Sequence, residues 1–400
     1  MQRQRLLNYI AVLITVVLLV IWTHWLFRPP TKPFVLRARW KLQGIGFFNV
    51  AFSPKGDLLA ISMLPQNYSA LTVSFWKVPE GMEVGPKIVV SPNARFLSCL
   101  HQVAFSPDGR LLAVGYNERG LVNVGIFSVT DGHRVQTITI SKATPDSFLW
   151  LIFAPDGRLV VGLDALDVWF INVADGRKTK APFTAKDIAF SPDARFMAAI
   201  DSRPILIASQ RHSQSLNSVT VYNTNSQSVK QLKIAKAAFI PFGGIAFSKD
   251  GQKLMCTWVE ERTKRKRFYG RVWVSVWRTK DWQLEWSVPL TPFYNSEVNF
   301  TLPAIPAPDV SSVALVEPDP YNLDGLLWLF AFIVNKLQKQ SEPMAPARTT
   351  LRRLEDGKLI TRLPRHGYVE SPIAFSPDGR FLVVFSENEI ALWERKGSMK

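Results

Sequence analysis

Residues 105–113, Phe-Ser-Pro-Asp-Gly-Arg-Leu-Leu-Ala, carry a pattern that recurs from one end of this chain to the other and leaves few folds open. Val103 and Phe105 on one side and Leu111 and Ala113 on the other alternate with their neighbours as strand residues do. Between them lies turn chemistry: proline fixes φ near about −65°, aspartate accepts hydrogen bonds from the backbone ahead of it, and glycine tolerates positive φ. Each copy therefore reads as a β-hairpin with a three- to four-residue turn of the bulged kind.

The first copy, residues 50–60, turns at Pro54, and the second, 103–113, at Pro107, Asp108 and Gly109. The third, 152–160, turns at Pro155, Asp156 and Gly157, and the fourth, 188–197, at Pro192 and Asp193. The fifth, 245–254, keeps Asp250 and Gly251, and the last, 373–382, has Pro377, Asp378 and Gly379. A worn copy at 306–315 makes seven, and counted from the Phe of each copy, or Pro306 in the worn one, successive units lie 53, 48, 37, 57, 59 and 69 residues apart. A propeller blade needs about 40 residues, so most units carry insertions on a common frame. Residues 91–97 resemble the motif but lie too close to Phe105 to hold a unit, and read as a connecting loop. A second alternating strand ending in a polar turn follows the hairpins, as at 122–132, 166–176, 219–223, 272–277, 351–357 and 390–394. With the strand after it, each unit has the four antiparallel strands of a blade.

This order, a Phe-Ser-Pro-Asp-Gly hairpin, a Val-x-Val-aromatic strand and then Asp-Gly, resembles the WD-repeat propellers in a divergent prokaryotic style, over residues 34–396. The Trp-Asp dipeptide and the Gly-His of that family are missing, along with the hydrogen-bond network they would form. The resemblance implies an all-β fold, a seven-bladed β-propeller of four-stranded antiparallel blades, and a role as an interaction scaffold or sensor. TolB-like and lactonase-like propellers use similar hairpins and remain alternatives: an accessory subunit of an envelope complex, or a ligand-binding or enzymatic propeller. The last copy supplies only three strands, and residues 35–42 form a spare strand that is expected to complete it and remove the open edge.

Residues 6–27 contain no Asp, Glu, Lys or Arg and are long enough to cross a bilayer, with Arg3 and Arg5 before them and Trp22, Trp25 and Phe27 at the far end. No small-residue cleavage site follows, so the expectation is an uncleaved anchor. The chain then divides into a basic tail (1–5), a transmembrane helix (6–27), a Pro-rich linker (28–33), the propeller (34–396) and a tail (397–400). This makes it a single-pass protein of a bacterial inner (plasma) membrane, with either side open to the propeller, since basic residues flank the anchor on both sides. Cys99 and Cys256 sit among apolar residues and read as buried free thiols. The net charge of +16 reads as spread surface charge, with one dense cluster.

No nucleophile elbow, phosphate loop or zinc-binding helix occurs, and no two of the five histidines lie at ligand spacing. Asp-Gly pairs lack the further acids of a calcium loop and read as turns. The expectation is a non-catalytic protein with no cofactor or metal, with unknown protein partners, and without specific nucleic-acid binding. Two insertions, 257–271 and 317–348, carry the candidate docking residues. The first holds Arg262, Lys264, Arg265, Lys266 and Arg267 and reads as a loop tip, either solvated or binding phosphates or an acidic partner. The second holds Trp328, Phe330 and Phe332 in an apolar run too short to span a bilayer, which calls for burial against the propeller flank, a partner or a membrane, with a protein partner favoured over lipid. Both follow second strands of neighbouring units and are expected on the face opposite the anchor.

Overall fold

The Ser-Pro-Asp-Gly segments form hairpin turns, and their polar side chains brace them. The computed structural model describes residues 34–41, 46–65, 70–92, 103–142, 149–163, 167–201, 218–223, 227–234, 244–264, 267–291, 294–295, 304–318, 347–363, 373–386 and 389–396. In the second copy the Gly109 amide donates to the Ser106 carbonyl at 2.8 Å, and the Ser106 amide to the Leu111 carbonyl at 2.9 Å. Ser106 Oγ donates to Asp108 Oδ1 at 2.5 Å and accepts the Leu111 amide at 2.9 Å, while Asp108 Oδ1 also accepts the Arg110 amide at 3.0 Å. The same clip joins Ser191 to Asp193, Ser248 to Asp250 and Ser376 to Asp378; at Ser53 the acceptor is Asp57. Gly109 holds φ at +73°, a conformation that costs an ordinary residue about 1–2 kcal/mol. Two copies lack that glycine, and Ala194 and Val310 take the position at +56° and +60°.

The strands follow in chain order. After β1 (Phe34–Lys41), the first unit holds β2 (Gly46–Phe52), β3 (Leu58–Pro65), β4 (Leu71–Lys77) and β5 (Met82–Ser91). The second holds β6 (Val103–Phe105), β7 (Leu111–Glu118), β8 (Leu121–Ser128) and β9 (Arg134–Lys142). The third holds β10 (Leu149–Phe153), β11 (Leu159–Leu163), β12 (Asp167–Ile171) and the start of β13 (Lys178–Phe190), whose second half opens the fourth with β14 (Phe196–Asp201), β15 (Ser218–Asn223) and β16 (Ser228–Lys233). The fifth holds β17 (Ile245–Phe247), β18 (Lys253–Lys264), β19 (Arg267–Arg278) and β20 (Gln283–Pro289), with the short β21 (Tyr294–Asn295) beside β19. The sixth holds β22 (Ala304–Pro306), β23 (Ser312–Pro318), β24 (Ala347–Arg353) and β25 (Leu359–Arg362), and the last has β26 (Ile373–Phe375), β27 (Phe381–Ser386) and β28 (Glu389–Arg395). The described strands make six sheets because β13 joins the third and fourth units into one of seven strands. Every pairing is antiparallel, and the motif's Phe ends the inner strand of each unit but the sixth, where Pro306 stands.

Neighbouring units are held together by apolar packing. Among the described residues, clusters join the first unit to the second (Phe75, Phe105), the second to the third (Ile126, Phe153), the third to the fourth (Trp150, Met197) and the fourth to the fifth (Val221, Leu254). Others join the fifth to the sixth (Val274, Leu315), the sixth to the last (Leu351, Leu382), and the last back to the first (Phe385, Ile61). Inner strands converge, so a large residue must meet a small one. Phe105 shares its cluster with Ala51, Phe153 with Ala104, and Phe247 with Ala189. Burying one such phenylalanine contributes about 1.5–3 kcal/mol. The turns stack as well: a Cβ added at Gly109 would lie 3.5 Å from Pro54, at Gly251 3.5 Å from Pro192, and at Gly56 3.7 Å from Pro377. Between the fifth and sixth units, where Lys249 replaces the proline, its amide donates to the Pro308 carbonyl at 2.9 Å, a bond proline cannot make.

The spare strand does complete the last unit. β1 pairs with β28 from Phe34↔Arg395 to Lys41↔Glu389, on the edge away from β26. Trp40 packs into the cluster between the last and first units, and Phe34 into the one between the sixth and last. Glu394 on β28 accepts Arg37 from β1 and Arg380 from the turn before β27, the latter at 2.7 Å. Burial alone would raise the Glu394 carboxyl, but these two guanidiniums override it and hold it below its ordinary range. Arg395 reaches back to Asp309 at 2.5 Å and so ties the last unit to the sixth.

Two consequences can be measured. Deleting residues 34–41 is expected to abolish the cooperative melting transition or convert the protein to oligomers on gel filtration, and an unchanged melting curve would contradict closure by β1. Gly109→Ala is expected to lower stability by about 1 kcal/mol, whereas Ala194→Gly, which relieves the same strain, is expected to raise it by about 0.5 kcal/mol after the cost of a freer unfolded chain. Urea unfolding midpoints that moved in one direction for both would contradict the account of the turn.

Candidate docking face

Antiparallel strands sort the connections onto two faces. The Ser-Pro-Asp-Gly turns and the corners from third to fourth strand lie on one, the turn face. The links from second to third strand and those between units lie on the other, the link face. Phe34 pairs at the end of β28, so the chain enters β1 from the turn face.

Link-face connections differ sharply in length. Arg119 and Gly120 alone connect β7 to β8, and the corresponding links are short in the first, third and last units. In the fourth and sixth units they are long, and in the fifth, between those two, β18 and β19 themselves run on to a two-residue link, so that three neighbouring units are extended on this face. Both expected insertions are among them. The third, residues 202–217 between β14 and β15, was not singled out from the sequence, although the 57-residue gap between Phe190 and Phe247 signals it. The second insertion leaves the sheet at Pro318 and returns beside it at Ala347. Trp328, Phe330 and Phe332 lie outside the described residues, as do Cys99, the expected anchor 6–27 and the tails. Among the described residues no helix is long and apolar enough to cross a membrane.

The first insertion departs from expectation. Residues 257–264 and 267–271 continue β18 and β19, which pair without a register shift from Lys253↔Arg278 to Lys264↔Arg267. The strands expected to stop at Thr257 and restart at Val272 instead run on, because the base of the ribbon is packed. Trp258 and Trp273 face each other across the strands with rings stacked 5.2 Å apart at 11°. Trp258 Nε1 donates to Ser275 Oγ at 2.9 Å, and Trp273 Nε1 to Glu260 Oε2 at 2.8 Å, which satisfies a buried carboxylate. β21 braces the outer side by pairing with Tyr269 and Gly270. Arg262, Lys264 and Arg267 therefore belong to a β-arm; Arg265 and Lys266, between its strands, lie outside the described residues.

On the turn face the carboxylates of the Ser-Pro-Asp-Gly turns are already engaged. Asp193 is held at about 2 from an ordinary 3.8 by the Ser191 hydroxyl, then by the Arg195 amide and side chain. Asp108 and Asp250 are lowered in the same way by Ser106 and Ser248. Pro54, Pro107, Gly109, Pro155, Asp156, Gly157, Pro192, Gly251, Pro377, Asp378 and Gly379 sit in these turns, where they shape the hairpins. At the third-to-fourth corners, Val129, Val173 and Leu354 pack into the interface with the preceding unit. Each stands two residues before an Asp-Gly pair, a signal present in the sequence and overlooked beside the turns.

Cys256 is fully buried, and desolvation, then the charge of Asp187, pushes its thiol far up. Among the described residues no group of three or more His, Cys, Asp or Glu could hold a metal ion. The link face thus carries a two-stranded arm in the fifth unit and long connections in the units before and after it.

No family model matches the chain. A solved β-propeller domain, that of Cps50 (Swd1) from Myceliophteria thermophila, is similar to it with a TM-score of 0.55 and 14% sequence identity, covering 89% of this chain and 99% of that one. At that identity the likeness concerns the fold: this chain folds as a β-propeller.

The Ser–Asp clips set a pH dependence. A carboxyl depressed in the folded state contributes stability that is complete above its unfolded value and lost as pH falls toward its folded value. The melting temperature is therefore expected to be level above about pH 5 and to fall between about pH 4 and pH 2. In Ser191→Ala the Asp193 carboxyl, followed by NMR, is expected to titrate nearer 3.8 than 2. An unmoved midpoint would show that the hydroxyl does not hold it.

Proposed function

We propose that this protein is a membrane-anchored, seven-bladed, WD-repeat-like propeller that serves as a protein-interaction scaffold or sensor without catalytic activity of its own. Seven blades are supported by the seven hairpin copies and by the apolar clusters that link each unit to the next and the last to the first. The anchor is residues 6–27, on the strength of their uncharged apolar sequence and the aromatic residues at their end. The prokaryotic style of the repeats supports a bacterial inner membrane.

One observation carries the scaffold reading. Two long second-to-third links and the lengthened β18–β19 ribbon between them fall in three consecutive units on the link face, while the chain enters β1 from the turn face. A linker of only residues 28–33 keeps the turn face toward the bilayer, so the elaborated sector faces away from it and is open to a protein partner. Propellers are well suited to this, since a rigid ring carries variable loops and the loops carry the recognition.

The test is photo-cross-linking from position 328 of the full chain in native membranes, with the products identified by mass spectrometry. A reproducible adduct to one other protein is the expected result. Adducts confined to this chain's own residues would remove the docking role.

A further inference from the structure

The turn-face end of each junction between units is closed by bulk that the repeated motif supplies. Between the third and fourth units, Arg158, Phe170, Phe190 and Phe196 leave a cavity of only about 20 Å³. Between the fifth and sixth the cavity is about 1000 Å³. The sequence accounts for the difference. The sixth unit has Pro306 and Ser312 where the fourth has Phe190 and Phe196, and the fifth has Gln252 where the third has Arg158. Six charged residues line the larger cavity, and four of them are engaged. Asp250 accepts the Ser248 hydroxyl at 2.5 Å, and Asp309 accepts Ser311 and Arg395. Lys253 pairs with Glu285 at 2.9 Å, and Arg353 with Asp356 at 3.3 Å. The other two, Lys249 and Glu355, are exposed, and their side chains have no hydrogen-bond or ion-pair partner among the described residues. They stand at opposite ends of the cavity. Lys249 lies in the turn between β17 and β18, toward the axis of the ring, and Glu355 in the corner between β24 and β25, toward the rim. Two strand spacings separate such a turn from such a corner, about 10 Å. Half-buried Trp286, with Pro308 and Val310, gives the wall between them an apolar surface.

We propose that this cavity binds a short peptide of two or three residues by its ends, with the peptide carboxylate on Lys249 and its α-ammonium on Glu355. The site goes beyond the scaffold reading and does not depend on it. Three cations and three carboxylates line the cavity, so a ligand of one sign, polyanion or polycation, meets as much repulsion as attraction. A zwitterion matches the two unengaged groups. Their separation selects one whose charges lie far apart, and a peptide covers about 3.5 Å per residue, so that two or three residues span the gap. The headgroup of a zwitterionic lipid carries its charges too close together to reach both. Trp286 and Val310 offer contact to the peptide's side chains, and the volume lies at the upper end of the range of small-molecule sites.

The experiment titrates the full chain, in a neutral detergent, with trialanine and follows binding by calorimetry. Trialanine is expected to bind saturably. N-acetyl-trialanine, trialanine amide, phosphoethanolamine and maltose are expected to bind at least about fivefold more weakly, since each lacks one charge, the spacing or both charges. Lys249→Gln and Glu355→Gln are each expected to weaken trialanine at least about fivefold with the melting temperature unchanged. Lys249→Gln is also expected to erase the difference between trialanine and its amide, and Glu355→Gln the difference between trialanine and its acetylated form. Lys55→Gln, in the turn of the first unit, is expected to change binding less than about twofold. Absence of saturable binding, equal binding of the blocked peptides, tighter binding of phosphoethanolamine or maltose, or an equal loss in Lys55→Gln would each overturn the proposal.

Discussion

A series of sheets packed face to face ends in two bare apolar faces unless the ends meet, and bare apolar faces recruit other chains. In this protein the antiparallel pairing of β1 with β28 closes that gap. The rest of the architecture depends on it, because each unit is wedged between two others and none has a core of its own. Trp40 and Phe34, one on each side of the closing strand, complete two of the inter-unit clusters. The ion pairs of Arg37 and Arg380 with Glu394 add register to a contact whose driving force is apolar.

The fold was legible because its determinants are local and repeated. Proline, aspartate and glycine at fixed offsets specify a turn wherever they occur, and a Phe before the turn marks the inner strand. Even the closing strand could be read, from the missing fourth strand of the last unit. What escaped was cooperative. The Ser–Asp clip needs two side chains whose meeting depends on the turn already being formed. The arm escaped for a related reason: residues 260–267 are so densely charged that they read as a loop, whereas the strands run on to Lys264 and from Arg267 above the cross-strand stack of Trp258 with Trp273. The 202–217 link was legible from spacing alone, since the three widest gaps between copies are consecutive.

The two faces divide the labour. Uniform turns, engaged carboxylates and stacked Gly–Pro contacts make the turn face a structural rim, nearly identical from unit to unit. Variation in connection length falls on the link face, and among the second-to-third connections it falls in one sector. Repetition thus fixes the ring and leaves the interruptions to carry specificity, which is why the motif that identifies the fold says so little about the partner.

The closing pair has a consequence for how the chain is made. Of the described strands, β1 is the first to be synthesised and β28 the last. Until then the emerging units can stack one on another, but the array stays open, with its first sheet exposed on one flank and β1 idle. Closing a loop of nearly the whole chain costs only slowly growing entropy, but it delays the step and lengthens the time at risk. Tethering the amino-terminal end would hold that idle strand close to where its partner arrives, so that an anchor would serve biogenesis as much as address.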